Sequence, residues 1–280
     1  MLQFSLVEQI ALAVFLLSGI SFFLYHLLLR LKIVLKGKSD FSVEELPKRI
    51  IRVFDEVILH KKVASGKRKS AGILHALVMY GFIFFGLITI NHFGMAFGFP
   101  IFSDSFRHTY FLIFGAPWAI LCTIGILGLA YRRFVIKPEA LGKFSSTSAL
   151  VSVFIVTLMT TYLIDELHIL SGAAEKFNWW LHSGVIGGFL FLIPQSKHMH
   201  LVLSPFNIFL RPFEVPSHGA IPIDMEASEE ELDNLLLDLS RLSKDQALDI
   251  FTCVECGRCT DVCPANRGGG ILDPKYHFIL

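Results

Sequence analysis

Four of the chain's five cysteines fall within eleven positions of "FTCVECGRCTDVCPAN", residues 251–266. Cys253, Cys256, Cys259 and Cys263 are spaced C-x2-C-x2-C-x3-C, and Pro264 follows. Thiolates at that spacing hold a [4Fe–4S] cluster, and in two-cluster proteins the fourth cysteine of such a run ligates the other cluster. Zinc knuckles use paired C-x2-C units instead, so a zinc site is disfavoured. Clustered rather than scattered cysteines also suit a metal site on a reducing face better than disulfides. The fifth, Cys122, lies in an apolar stretch and reads as a small packing residue. A partner run is therefore expected beyond residue 280 or in another polypeptide, the chain being a truncated frame or the membrane half of a split complex. The alternative is that Cys263 closes the first cluster itself.

Histidines form the second constellation. His182 and His200 are 18 residues apart, five turns of a continuous helix, and would then share a face about 27 Å in length. His75 and His92 stand near the two ends of another apolar stretch. Paired by depth in antiparallel spans, His75 meets His200 on the inner side and His92 meets His182 on the outer side. That is the layout for two b haems stacked across a bilayer, each with two axial imidazoles; one haem is too small to carry an electron through about 30 Å of hydrocarbon. The angular fit of His92 is poor, since 17 residues leave it about 100° from the face of His75 unless "NHFG" bends or unwinds. His168, in "DELHIL", is the substitute for His92. His198 competes with His200 but lies off the face of His182. His26, His60, His108 and His218 read as structural or surface residues.

The elements that carry these side chains must be membrane spans. The chain has 280 residues, is 53% hydrophobic, and has a mean hydropathy of +0.59, too apolar for an ordinary soluble domain. A net charge of +1 gives no basic tail for nucleic acid. Five stretches are long enough to cross a bilayer, near Leu6–Leu31, Ala71–Asn91, Tyr110–Tyr131, Thr147–Ile164 and Trp179–Leu203. Pro194, Gln195, Ser196 and Lys197 interrupt the last, and Trp179 and Trp180 open it as an interfacial belt. The N-terminus lacks the basic region and cleavage site of a signal peptide. Twelve Lys and Arg residues from Arg30 to Lys69 separate the first two spans, and the next loop has only Arg107. Arg132, Arg133, Lys137 and Lys143 follow the third span and Lys176 alone the fourth. The positive-inside rule puts the N-terminus outside and the C-terminus in the cytoplasm.

Between the first two spans, "LPKRIIRVFDEVILHKKV" reads as an interfacial amphipathic helix with Pro47 near its start and an apolar face of Ile50, Ile51, Phe54, Val57 and Ile58. After the fifth span the composition turns acidic. Ser228 with Glu231, and Ser243 with Gln246, mark two capping boxes and two short helices leading to the cysteines. Asp165 and Glu166, at the outer end of the fourth span, read as interfacial, with a role in quinone protonation as the minor alternative. "RGGG" at 267–270 lacks the strand and helix of a phosphate loop. The division expected is a haem b membrane domain over 1–213, an acidic helical linker over 214–243 and an iron–sulfur segment over 244–280. The fold class is an all-α membrane protein: a five-span cytochrome b bundle followed by a small cytoplasmic helical, ferredoxin-like segment.

Three stretches, "AGILHALVMYGFIFFG", "WWLHSGVIGGFLFLIPQSKHMHLVLSPFNIFLRP" and "LDIFTCVECGRCTDVCPAN", resemble the cytochrome b (gamma) subunit of respiratory nitrate reductase and the membrane subunit of heterodisulfide reductase. Their order resembles fused bacterial heterodisulfide-reductase-like iron–sulfur oxidoreductases, over nearly the whole chain. The resemblance implies haem ligation by His75, His200, His182 and, less closely matched, His92. It also implies a quinone site beside one haem, with menaquinone or another quinone as substrate. A cytoplasmic redox protein would be the partner, for example electron-transferring flavoprotein or a heterodisulfide-reductase-like catalytic subunit. The fused relatives continue into further cysteine-rich domains, whereas this sequence ends at "GGGILDPKYHFIL". The expectation is a membrane electron-transfer subunit, quinone-linked, of the cytoplasmic membrane. A membrane anchor or redox-sensing module without quinone turnover is the alternative. A transporter is disfavoured, because the spans lack paired broken helices and mid-depth acids.

Overall fold

The computed structural model describes residues 2–38, 43–65, 68–142, 144–213, 226, 228 and 242–275. Those residues are mostly helical; the one isolated bridge among them joins Lys38 and Ser243. In chain order the helices are α1 (Leu6–Val34), α2 (Leu46–Val53), α3 (Lys69–Ala96), α4 (Asp104–Tyr110), α5 (Ala116–Tyr131), α6 (Ser146–Glu166), α7 (Gly172–Leu192), α8 (His200–Leu210), α9 (Lys244–Thr252), α10 (Arg258–Val262) and α11 (Pro264–Arg267). π-helical turns at Phe111–Gly115 and Arg132–Ile136 join and extend α4 and α5 into a 33-residue rod.

Four of these elements are long and apolar enough to cross a bilayer: α1, α3, the Asp104–Ile136 rod and α6. They mark a membrane protein. α7 does not join them. Its 21 residues suffice in length, but Glu175, Lys176, Asn178, His182 and Ser183 dilute its hydropathy. It also ends at Leu192 rather than running to Leu203. Pro194 lacks the N–H that would continue the ladder and disfavours helix in the residue before it. A turn and a 3-10 segment, Lys197–Met199, intervene before α8. The expected single face carrying His182 and His200 is therefore overturned: the two belong to different helices.

The chain forms two compact units. The first comprises Met1–Phe22 and Lys62–Leu192. Ser5 and Glu8 bond reciprocally at the start of α1, with Ser5 N–H donating to Glu8 Oε2 at 2.8 Å. Ser103 and Ser145 accept from Phe106 and Ser148 N–H to start α4 and α6. Small residues let the helices close. A Cβ at Gly81 of α3 would sit 2.9 Å from Cys122 Sγ, and one at Gly125 of α5 would sit 2.7 Å from the Leu74 carbonyl oxygen of α3. Cys122 is 1% exposed and is the packing residue its setting suggested. The Leu74 backbone has no rotamer with which to yield, so Gly125→Val should force α3 and α5 apart. We expect a loss of about 1–3 kcal/mol, read as a lowered thermal midpoint in detergent, while Gly86→Ala, with nothing within 4 Å, leaves the midpoint unmoved.

The second unit comprises Phe23–Lys61 and Ile193–Leu280. Val34, Met199, Leu203, Ala247 and Leu248 form its buried core. Ser243 caps α9 in a complete capping box with Gln246; the box expected at Ser228 and Glu231 lies outside the described residues. α2 is turned against ordinary amphipathic logic. Arg49 is buried, donating to Phe209 O at 2.7 Å at the end of α8 and pairing with Glu45 at 2.6 Å. Arg52 donates to the Arg211 carbonyl, and Arg211 pairs with Glu56. Ile50, Ile51 and Phe54 are all more than half exposed. Cations satisfying helix-end carbonyls on one side and bare aliphatics on the other suit a helix lying in a membrane interface.

Candidate functional site

In the first unit, α3 brings His92 and α7 brings His182 to one cavity. The ring centroids are 5.0 Å apart with planes at 57°. Thr161 of α6 donates its hydroxyl to Thr157 O at 2.7 Å, which leaves its lone pairs to accept from His182 Nδ1–H, also at 2.7 Å. Donation from Nδ1 makes Nε2 the lone-pair nitrogen, the arrangement in which a second partner orients a ligating imidazole. His92 stacks on Trp179, 4.7 Å between centroids at 15°, and its Nε2 hydrogen-bonds Ser183 Oγ at 2.9 Å. Asn178 Nδ2 donates to Thr161 O at 2.9 Å and ties α7 to α6 at this level. The cavity is rimmed by Arg107, Tyr162, Asp165 and Glu166, and Arg107 Nη2 pairs with Glu166 Oε1 at 3.3 Å.

Two buried imidazoles are the donor type that haem iron takes, and the 5.0 Å between their centroids would have to widen to admit one. Two imidazoles from different helices line one cavity with aromatic and aliphatic neighbours, and one imidazole is held in the ligating tautomer. Ligation by His92 would exchange its bond to Ser183 for one to iron. α3 stays regular through Asn91, His92, Phe93 and Gly94, so the bend expected at "NHFG" is absent and the angular offset from His75 stands. Trp179 is 3% exposed and packs on His92. It is a wall of the cavity and not the interfacial belt expected of it. His168 is exposed, at φ +50 in the turn after α6, and does not line the cavity.

His75 is half-buried in the second turn of α3. His200 opens α8 in the second unit, and its Nδ1 donates to Lys197 O at 2.8 Å. That bond also orients Nε2 as the lone-pair nitrogen. His198 hydrogen-bonds Ser196 Oγ at 3.1 Å. His60 is buried at φ +52 with Nδ1 on Val57 O at 2.7 Å, a structural residue. His218 lies outside the described residues.

The cysteines belong to the second unit. Cys253 ends α9, Cys259 lies in α10, and Cys263 stands between α10 and α11. None is in a disulfide. Glu255 and Gly257 take positive φ, +55 and +72, and fold the chain sharply between the first three cysteines. Burial pushes the Cys253 thiol up; the Glu255 backbone N–H bonded to its sulfur pulls it back, and neighbouring Cys256 and Cys259 raise it further. Thr260 Oγ1 donates to Asp273, and Asn266 Nδ2 donates to Leu272 O at 2.9 Å, bracing the segment from behind. Among the described residues no three His, Cys, Asp or Glu side chains converge on a single metal ion. A four-iron cluster asks for something else: each iron takes one thiolate, so the sulfurs stand around the cluster. Four cysteines outside any disulfide, on one tightly turned segment, fit that donor set. The described part of the segment is helical, and the ferredoxin-like character expected of it is not seen there.

Thr161, Ser183 and Trp179 were not singled out from sequence. The available signal was polar residues within an apolar run, as in "VTLMTTYLIDE".

No family model and no solved structure matches the chain. Two curated relatives do. It is 31% identical over 284 residues to the "Probable iron-sulfur-binding oxidoreductase FadF" of Bacillus subtilis, a match covering 90% of this chain and 39% of the relative. It is 24% identical over 311 residues to the "EtfAB:quinone oxidoreductase" of Syntrophomonas wolfei, covering 95% of this chain and 42% of that protein. The chain thus spans about two fifths of the length of these relatives. They support an iron–sulfur oxidoreductase family for it.

Proposed function

We propose that the chain is the membrane electron-transfer part of a quinone-linked iron–sulfur oxidoreductase. The observation that carries this reading is the meeting of His92 and His182 in one cavity, with Thr161 holding the second imidazole by Nδ1. When bound, a [4Fe–4S] cluster and two b haems would supply the one-electron redox chemistry. The chain's part is to hold, space and bury them. Cys253, Cys256 and Cys259, with Cys263 for the same or a neighbouring cluster, are the thiolates. His92 and His182 would hold the outer haem; His75 and His200 are the ligands expected for the inner one from their depth in the sequence alone. Apolar side chains of α3, α6 and α7 line the cavity around the outer pair, and the Arg107–Glu166 ion pair lies in its wall.

The name of the Syntrophomonas relative joins EtfAB to a quinone. By extension, an electron-transferring flavoprotein is the cytoplasmic redox partner and a membrane quinone the other. The twelve basic residues between the first two spans support a cytoplasmic position for that partner, with the N-terminus outside. A C-terminal reporter should be active in the cytoplasm; activity confined to the periplasm would overturn the orientation.

The test is a reduced-minus-oxidised spectrum of purified membranes containing the chain. A b-type signal that is reduced by a quinol analogue, and reoxidised by the matching quinone, supports the assignment. A b-type signal that ignores the quinone couple would leave the anchor or sensor reading, and no b-type signal would refute the haem assignment.

A further inference from the structure

Within the second unit a short relay of bonds runs from the cysteine segment to His200. Lys197 Nζ donates to Glu255 Oε2 at 3.0 Å, with the two side chains only 12 and 28% exposed. The carbonyl of the same Lys197 accepts from His200 Nδ1 at 2.8 Å. Glu255 sits between Cys253 and Cys256, and its backbone N–H is bonded to the Cys253 sulfur. Three contacts, carried through Glu255 and Lys197, therefore join a cysteine sulfur to an imidazole: the Glu255 N–H on sulfur, Lys197 Nζ on the Glu255 carboxylate, and His200 Nδ1–H on the Lys197 carbonyl.

Two features separate this pair from an ordinary surface ion pair, which contributes little. It is shielded from solvent, and it joins residues 58 apart in sequence. Glu255 also holds a left-handed φ of +55, where a residue with a Cβ is disfavoured. Such a conformation persists where surrounding contacts determine it, and it gathers at functional sites. A second tie supports the same docking. Buried Asn207 of α8 donates to Asp249 Oδ1 at 2.8 Å and Thr252 Oγ1 at 3.0 Å, both on α9 immediately before Cys253. Leu203 and Leu248 close the apolar side of that contact.

We propose that Lys197 and Glu255 are positioning residues: their ion pair fixes the cysteine segment against the His200 segment and so sets how fast an electron crosses between the centres those residues hold. This deepens the function proposed above and rests on it. The step moves one electron, oxidising one centre and reducing the other; no bond breaks and no proton moves. Its rate is sensitive to distance, which is why a joint made of two partly shielded charges matters more here than its stability contribution would suggest. Lys197→Met removes the cation of this pair, and Glu255→Gln removes its anion.

The experiment uses the full chain purified with its cofactors. Iron, sulfide and haem contents should match wild type in Lys197→Met and Glu255→Gln. Amide hydrogen exchange across residues 253–263 should speed up, and haem reduction through the cluster should fall about tenfold. Lys197→Arg, which keeps the charge and a donor to Glu255, should restore both. Exchange and rate that stay at wild-type values in Lys197→Met and Glu255→Gln, with cofactors intact, overturn the inference alone. So does a defect that Lys197→Arg fails to rescue, because the lysine would then act through something other than its charge. A wild-type chain that carries no haem overturns the underlying reading together with this one.

Discussion

His182→Ala should lower the haem content of the purified chain from about two to about one per polypeptide, measured as pyridine haemochrome, while the protein remains inserted and monodisperse. His182 is prepared for the ligand role proposed for it. Its Nδ1 is committed to Thr161, the Thr161 hydroxyl is committed in turn to Thr157 O, and Asn178 locks the two helices at that height. Thr161→Val removes the orienting acceptor and keeps the imidazole. We expect it to retain haem at 10–100-fold weaker affinity, roughly the range for loss of a second partner, visible as haem lost on dilution and as a shifted potential. His92→Ala should behave like His182→Ala, because both rings line one cavity. Haem content untouched in both alanine variants would remove the outer pair as ligands.

Cys253→Ser should strip the iron–sulfur cluster and leave the haems in place. Cys253 is held by its position at the end of α9, by burial and by the Glu255 N–H, so its sulfur is in place before metal arrives. Iron and acid-labile sulfide should fall to the haem background, with the b-type spectrum unchanged. Cys256→Ser and Cys259→Ser should follow it, since these cysteines act directly on Cys253. Cys263 opens α11, on the far side of α10. If it reaches a second cluster, Cys263→Ser leaves the first cluster's iron and sulfide in place and removes only what a cysteine-rich partner polypeptide restores. One stable cluster in the isolated chain that is lost in Cys263→Ser would show that Cys263 closes the first cluster, and would refute the split arrangement.

Much of this was legible without coordinates because it depends on local chemistry. A C-x2-C-x2-C-x3-C-P run is specific at the level of spacing, and the Ser243–Gln246 capping box forms as written. Long apolar runs become helices because no other structure satisfies their backbone in hydrocarbon. The inverted α2 is also visible in outline, from Pro47 and the row of isoleucines. The fifth span was misread because composition averages over a break. Pro194 ends the helix where hydropathy continues, and five turns counted through it placed His182 and His200 on a face that does not exist.

What the sequence by itself determined is the inventory: iron–sulfur thiolates, histidines at the ends of apolar helices, and a chain that must sit in a membrane. These follow from side-chain chemistry and from periods of a few residues, which need no distant partner. Only the tertiary structure decided which groups face one another. Thr161 reaches His182 across 21 residues, Ser183 reaches His92 across 91, and Lys197 reaches Glu255 across 58. Trp179 reads as an interface residue until α3 covers it with His92. Such pairings are set by which helix packs on which, through the small residues that let backbones close, and no local pattern encodes that choice.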